Sequence, residues 1–258
     1  MQRGFTLVEL AVVLTIIGLI IGGVIVGSDM IKSARLNSLW TDKQKYVSAV
    51  NAFRDKYQYL PGDMPNATAF WGSLGGTGSD TTCDTTTSSG IATCNGDGNG
   101  QVDAPNSAGV HEHLRFWQQL SNAGLIEGNY CGANATQCGQ STGIAIGVNV
   151  PPSKFPNAYW YAAWIGVSAG STTGFAGNYG NLMRVAGNSN FQPIDAYQFD
   201  SKFDDGLPGS GAIISYKGDG ISSFCTTAAG VAPPGDVGAT YKISNINPDC
   251  YFNFVRAF

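Results

Sequence analysis

The chain has 258 residues, with 14 Lys/Arg against 18 Asp/Glu and only 12% charged side chains. Residues 1–57 hold seven Lys/Arg and four Asp/Glu, whereas residues 58–258 hold seven and fourteen. The larger, acidic part is long enough to bury its own core, and it lacks the clustered basic side chains that nucleic-acid binding requires.

Met1-Gln2-Arg3-Gly4 precedes Phe5-Thr6-Leu7-Val8-Glu9 and an apolar run to Val26 in which Glu9 is the only charged residue. As a helix, this run is roughly 33 Å long, enough to cross a hydrocarbon core of about 30 Å. A carboxylate inside such a span costs about 2.5–3.5 kcal/mol on insertion scales and marks a functional position by default. A secretory signal places its apolar stretch before a small-residue cleavage site, and here Gly4 comes first. A plain signal-anchor with an incidental Glu would leave that carboxylate unexplained.

Gly4-Phe5-Thr6-Leu7-Val8-Glu9 resembles the processing motif of type IV prepilins and of the pseudopilins of type II secretion. The resemblance covers roughly the first sixty residues. It implies cleavage after Gly4 by a prepilin peptidase, methylation of Phe5, and a leader at 1–4. It also implies that Glu9 pairs with the terminal amine of a neighbouring pilin subunit during assembly. A buried carboxylate needs such a cation or a proton. The implied route is a single-pass inner-membrane protein with Arg3 cytoplasmic, then a periplasmic or cell-surface filament. Glu9 favours a body or sub-tip position in that filament, and a head of this size a minor or specialised subunit.

The helical pattern continues beyond the membrane segment (5–27) through an amphipathic continuation (28–58). Ile31, Ala34, Leu39, Tyr46, Val50, Phe53 and Tyr57 form its apolar stripe, and Leu60-Pro61-Gly62-Asp63 ends it. Gly18/Gly22 and Gly23/Gly27 form two G-x-x-x-G pairs suited to close helix approach, although Gly is common in membrane helices anyway. Many type IV pilins carry a proline in this segment, and this chain has none. Residues 59–258 form the globular head. Residues 63–106 read as loop, 111–123 as a short helix, and 158–167, 181–185, 213–216 and 251–255 as strands separated by Gly and Pro. The expected fold is α+β and pilin-like: a long N-terminal helix packed on a small antiparallel sheet with long disulfide-bonded loops.

Cys83, Cys94, Cys131, Cys138, Cys225 and Cys250 all follow the membrane segment. An even count in an exported head reads as disulfides, with sequential pairs (83–94, 131–138, 225–250) the simplest of fifteen connectivities. No C-x-x-C occurs, which disfavours zinc knuckles and thioredoxin-like chemistry.

Several constellations bear on chemistry. Gly166-Val167-Ser168-Ala169-Gly170 matches a hydrolase nucleophile elbow, but His111 and His113 both precede Ser168 and no later histidine exists. An enzymatic role is therefore not expected. His111 and His113, two residues apart, point to different sides of a helix and read as helix-start polar residues. Asp195, Asp200, Asp204 and Asp205 read as caps and a tight Gly206 turn, with calcium binding the alternative. Asn95-Gly96-Asp97-Gly98-Asn99-Gly100-Gln101-Val102-Asp103 resembles the front half of an EF-hand loop. Asn95, Asp97, Asn99, the Gln101 carbonyl and Asp103, with Glu112 from the next helix, would hold Ca2+, although the first ligand is neutral and the twelfth place is Asn106. Tyr159, Trp160, Tyr161 and Trp164 suggest either an adhesin-like contact face or alternating burial in a strand.

Overall fold

A computed structural model describes residues 6–74, 90–104, 112–133, 136, 138–140, 143–167, 175, 177–187, 191–216, 225–227 and 238–258. The chain divides into two units, Met1–Thr41 and Asp42–Phe258, and one helix, α1 (Leu7–Tyr57), runs through both. Within the first unit its apolar side chains from Leu7 to Val26 are exposed all round. It is long and apolar enough to cross a membrane. Thr15 and Ser28 return their hydroxyls to the carbonyls of Val12 and Ile25, so neither leaves a hydroxyl unpaired in that apolar stretch.

In the second unit the stripe read from the sequence becomes a packing face. Val50 and Phe53 are fully buried. The Tyr46 ring meets Trp117 at 5.0 Å and Trp160 at 5.5 Å, both edge-on. Gln58, at φ 62°, caps the end of α1, its N–H bonded to the Arg54 carbonyl. The chain turns back through Leu60–Asp63 into a single helical turn, α2 (Thr68–Trp71), where the sequence suggested only loop. That turn brings Phe70 against Tyr57 and Trp71 against Phe53 and Tyr57.

Helix α3 (Glu112–Asn122) is the hub of the head. Its residues 112–120 are all buried, including four polar or charged side chains besides Glu112. Those side chains satisfy backbone that has no ladder of its own. Gln118 Nε2 donates to the carbonyls of Ala92 and Cys131, and Gln119 Oε1 accepts the Gly62 N–H. Arg115 Nη1 donates to the Asn95 carbonyl at 2.7 Å. Three loop segments are thereby fastened to one helix.

The sheet has four strands, β1 (Ala158–Val167), β2 (Gly177–Gly187), β3 (Ile213–Tyr216) and β4 (Tyr251–Phe254), in the order β1-β2-β4-β3 with every pair antiparallel. The last strand slots between β2 and β3, a non-local pairing. Helix α4 (Pro193–Phe203) opens with Pro at its first turn and lays Phe199 on Phe252 and Phe254 of β4. Strand β2 is longer than the sequence suggested, whereas β1 and β3 keep the expected bounds.

Cys131 pairs with Cys138 and Cys225 with Cys250, the sequential pairs expected. Cys94 is also disulfide-bonded, while Cys83 lies outside the described residues. The long helix packed on a small antiparallel sheet, with disulfides in the loops, is the α+β architecture read from the sequence.

Candidate functional site

Gly4 and Phe5 lie outside the described residues, but the first turn beyond them is built around Glu9. Glu9 Oε2 accepts both the Thr6 N–H and the Thr6 hydroxyl at 2.8 Å, and Thr6 Oγ1 accepts the Glu9 N–H at 3.3 Å. This reciprocal Thr-x-x-Glu capping box satisfies backbone donors at the helix start. The acidic side chain also complements the positive end of the helix dipole. Around it the surface is apolar and open. A Cβ added at Gly18, Gly22, Gly23 or Gly27 would meet nothing within 4 Å, so this chain's own packing does not require those glycines.

A second site lies in the head. The carboxylates of Asp63, Asp97 and Glu112 offer oxygens that all lie within 4.8 Å of one another. The loop 97–103 wraps them with its backbone N–H groups. Asn99 and Gly100 donate to the two oxygens of Asp63 at 3.0 and 2.9 Å. Asp97 and Asp103 donate to the two oxygens of Glu112 at 3.1 and 2.9 Å, and Asn99 N also reaches Asp97 Oδ1. Glycine makes the approach possible: a Cβ at Gly96 would lie 2.3 Å from the Asp63 carbonyl carbon.

Burial pushes the Glu112 carboxyl up to about 8, against the pull of the Asp103 and Asp97 N–H groups and reinforced by the charges of Asp63 and Asp97. Burial likewise raises Asp63 to about 6, with Asp97 adding to the shift while the Gly100 and Gly98 N–H groups oppose it. Crowded carboxylates that resist ionisation suit a hard cation, which prefers oxygen ligands and would relieve their repulsion.

Of the residues proposed from the sequence, Asp97 and Glu112 come together here. Asn95 instead turns its Oδ1 to the Thr68 N–H, and Asn99 Oδ1 accepts from Gln101 N. The Asp103 backbone N–H joins the site at Glu112. In the sequence Asp63 reads only as part of a helix-ending turn. No local spacing signals it, because 34 residues separate it from Asp97.

Asp204 Oδ2 accepts the N–H groups of Ala212 and Ile213, and Asp205 accepts from Leu207 N and the Ser210 hydroxyl. Asp200 Oδ2 accepts the Tyr241 hydroxyl at 2.6 Å. Asp200, Asp204 and Asp205 also lie close enough to share an ion, a group that does not include Asp195, but Asp204 and Asp205 hold backbone of the turn and Asp200 holds Tyr241. His113 is buried beside Tyr161, whereas His111 and Ser168 lie outside the described residues. Trp160 is fully buried between Tyr46 and Phe254, so the aromatic row of β1 is not one continuous contact face.

Residues 1–25 match the family model described as the prokaryotic N-terminal methylation motif, the type IV pilin and pseudopilin signature. No curated protein and no solved structure matches the chain.

Proposed function

We propose that this protein is a structural subunit of a type IV pilus-like filament. In this reading it is anchored by residues 5–27 in the inner membrane, cut after Gly4 by a prepilin peptidase, methylated on Phe5, and polymerised through α1. The observation that carries the reading is the first turn of α1 within the methylation motif. It is a capped helix start with one carboxylate at the head of an apolar span whose side chains from Leu7 to Val26 are exposed. Neighbouring α1 segments would cover that span, and a neighbour's terminal amine would replace or join Thr6 at Glu9. The role is non-enzymatic, and the head of about 200 residues suits a minor or specialised subunit. A pseudopilin of type II secretion is the runner-up, since the same signature serves both.

The acidic site in the head is proposed to hold one calcium ion. Asp63, Asp97 and Glu112 would supply carboxylate oxygens, and the ion would fix the 95–103 loop to α3. Nothing in the filament role depends on this ion.

Intact-mass spectrometry of the protein recovered from its host tests the processing. The expected mass lacks Met1–Gly4 and carries one added methyl group. In parallel, Glu9→Gln should leave membrane insertion intact and abolish recovery in the sheared filament fraction. Retention of Met1–Gly4 in assembled material, or normal assembly of the Glu9→Gln protein, would overturn the reading.

A further inference from the structure

We propose that the head carries a glycan-binding cleft at the irregular end of the β1–β2 ladder, with Trp164 as its platform. Two adjoining hollows of about 360 and 460 Å³ share Gly100, Asn181 and Phe258 in their walls. The larger is lined by Trp164, Gln101, Asn178 and Arg256 as well. The register pairs Trp164 with Asn181, so the two side chains stand on one face. A shift between Ile165 and Gly166 then breaks the ladder. Bulges of this kind recur where a sheet re-aims a side chain at a site. Gly166 makes room for the indole: a Cβ there would lie 3.2 Å from Trp164 Cη2.

The surrounding chemistry is that of an oxygen-rich ligand. Asn181 is already committed on both sides, to Val102 N and the Gly100 carbonyl, and so fixes the wall. Among the described residues Asn178 uses only its Oδ1, for Gly180 N, leaving its amide donors available. Among the described residues the Gln101 amide and the Arg256 guanidinium have no polar partner. Arg256 is moreover held at φ 47°, a left-handed conformation uncommon outside glycine. Free amide and guanidinium donors around a half-buried indole fit the hydroxyl rim and apolar face of a pyranose ring. An apolar ligand would leave those donors desolvated and unpaired. Arg256 would accept either a hydroxyl or a carboxylate oxygen as partner, so neutral and acidic sugars share this chemistry.

The full chain in detergent can be titrated with cellotetraose, with tetragalacturonate and with acetyl-tetraglycine amide, following tryptophan emission and calorimetric heat. Saturable binding of at least one saccharide is expected. Trp164→Ala should weaken it by about tenfold or more, with partial recovery in Trp164→Phe. Gln101→Ala, whose side chain has no polar partner among the described residues, should weaken it several-fold, which separates ligand loss from misfolding. Preference for tetragalacturonate that vanishes in Arg256→Gln would assign a carboxylated sugar; equal binding would assign a neutral one. The proposal is overturned by absence of saturation with both saccharides, by binding undiminished in both Trp164→Ala and Gln101→Ala, or by equal saturation with the peptide.

Discussion

Asp200 shows how one buried carboxylate sets a pH response. It sits at the end of α4, wholly buried, with Tyr241 donating to it. Burial raises its carboxyl to about 7, while the Tyr241 hydroxyl bond holds it down and the Asp204 and Asp205 charges push it further up. Since the folded state holds this proton more tightly than the unfolded chain, the stabilisation is complete below the ordinary carboxylate range. It is lost as pH rises toward 7. The unfolding free energy from this group should fall by on the order of 2–4 kcal/mol between pH 4 and pH 7, and Asp200→Asn should flatten that slope. Thermal melts across this range check the point, and a slope unchanged in Asp200→Asn would contradict it. Gly96 makes a second residue-scale case. Its missing Cβ lets the loop touch Asp63, so Gly96→Ala should cost about 2–3 kcal/mol by overpacking, read as a lowered denaturant midpoint. The run Asn95–Asp103 reads as a metal loop because oxygen side chains alternate. Two of those side chains instead bond backbone, Asn99 closing a local turn at Gln101 N and Asn95 reaching Thr68 N at the start of α2. Asx side chains bond nearby N–H groups readily, and composition alone does not separate that use from ligation.

At the scale of elements, legibility follows the range of the forces. Helix α1 is readable because its run to Val26 carries no charge but Glu9 and its second half keeps the Tyr46, Val50, Phe53 and Tyr57 stripe. Strand β1 was readable from its run of aromatic and apolar residues. Turn α2 was not, since four residues carry no periodicity and its Phe70 and Trp71 are set by contact with Tyr57 and Phe53. The place of β4 between β2 and β3 was equally hidden, because cross-strand pairing over such separations leaves no local mark. The Cys225–Cys250 bond secures that arrangement by joining the 225–227 segment to the residue before β4. Closing a loop of this size contributes roughly 3 kcal/mol in the chain-entropy model. The Cys225→Ser/Cys250→Ser protein should therefore melt lower by several degrees, with β3–β4 amides losing the most exchange protection. Uniform loss across the head would mean that the bond does not act locally.

For the whole molecule, the two units differ in chemistry: an apolar span with one capped carboxylate, and an acidic head whose loops are fastened to α3. Calcium at Asp63, Asp97 and Glu112 would add a further fastening, because the ion would bridge the α1–α2 turn, the 95–103 loop and the start of α3. All three carboxylates are charged when they bind a cation, so the ion must displace the protons that burial favours on Asp63 and Glu112. Affinity should therefore be weak, in the range of about 10⁻⁴–10⁻³ M for extracellular modules, and should rise with pH. At about 5 mM calcium this linkage stabilises by about 1–2 kcal/mol, a rise of about 2–8 °C for a head of this size. The full chain in detergent, melted with calcium and with chelator, should show that rise in the wild type. Asp63→Asn and Asp97→Ala should each abolish it, while Asp103→Asn, whose contribution to the site is its backbone N–H, should retain most of it. A midpoint that calcium leaves unmoved, or an effect that survives in Asp63→Asn, would reduce the three carboxylates to organisers of a turn.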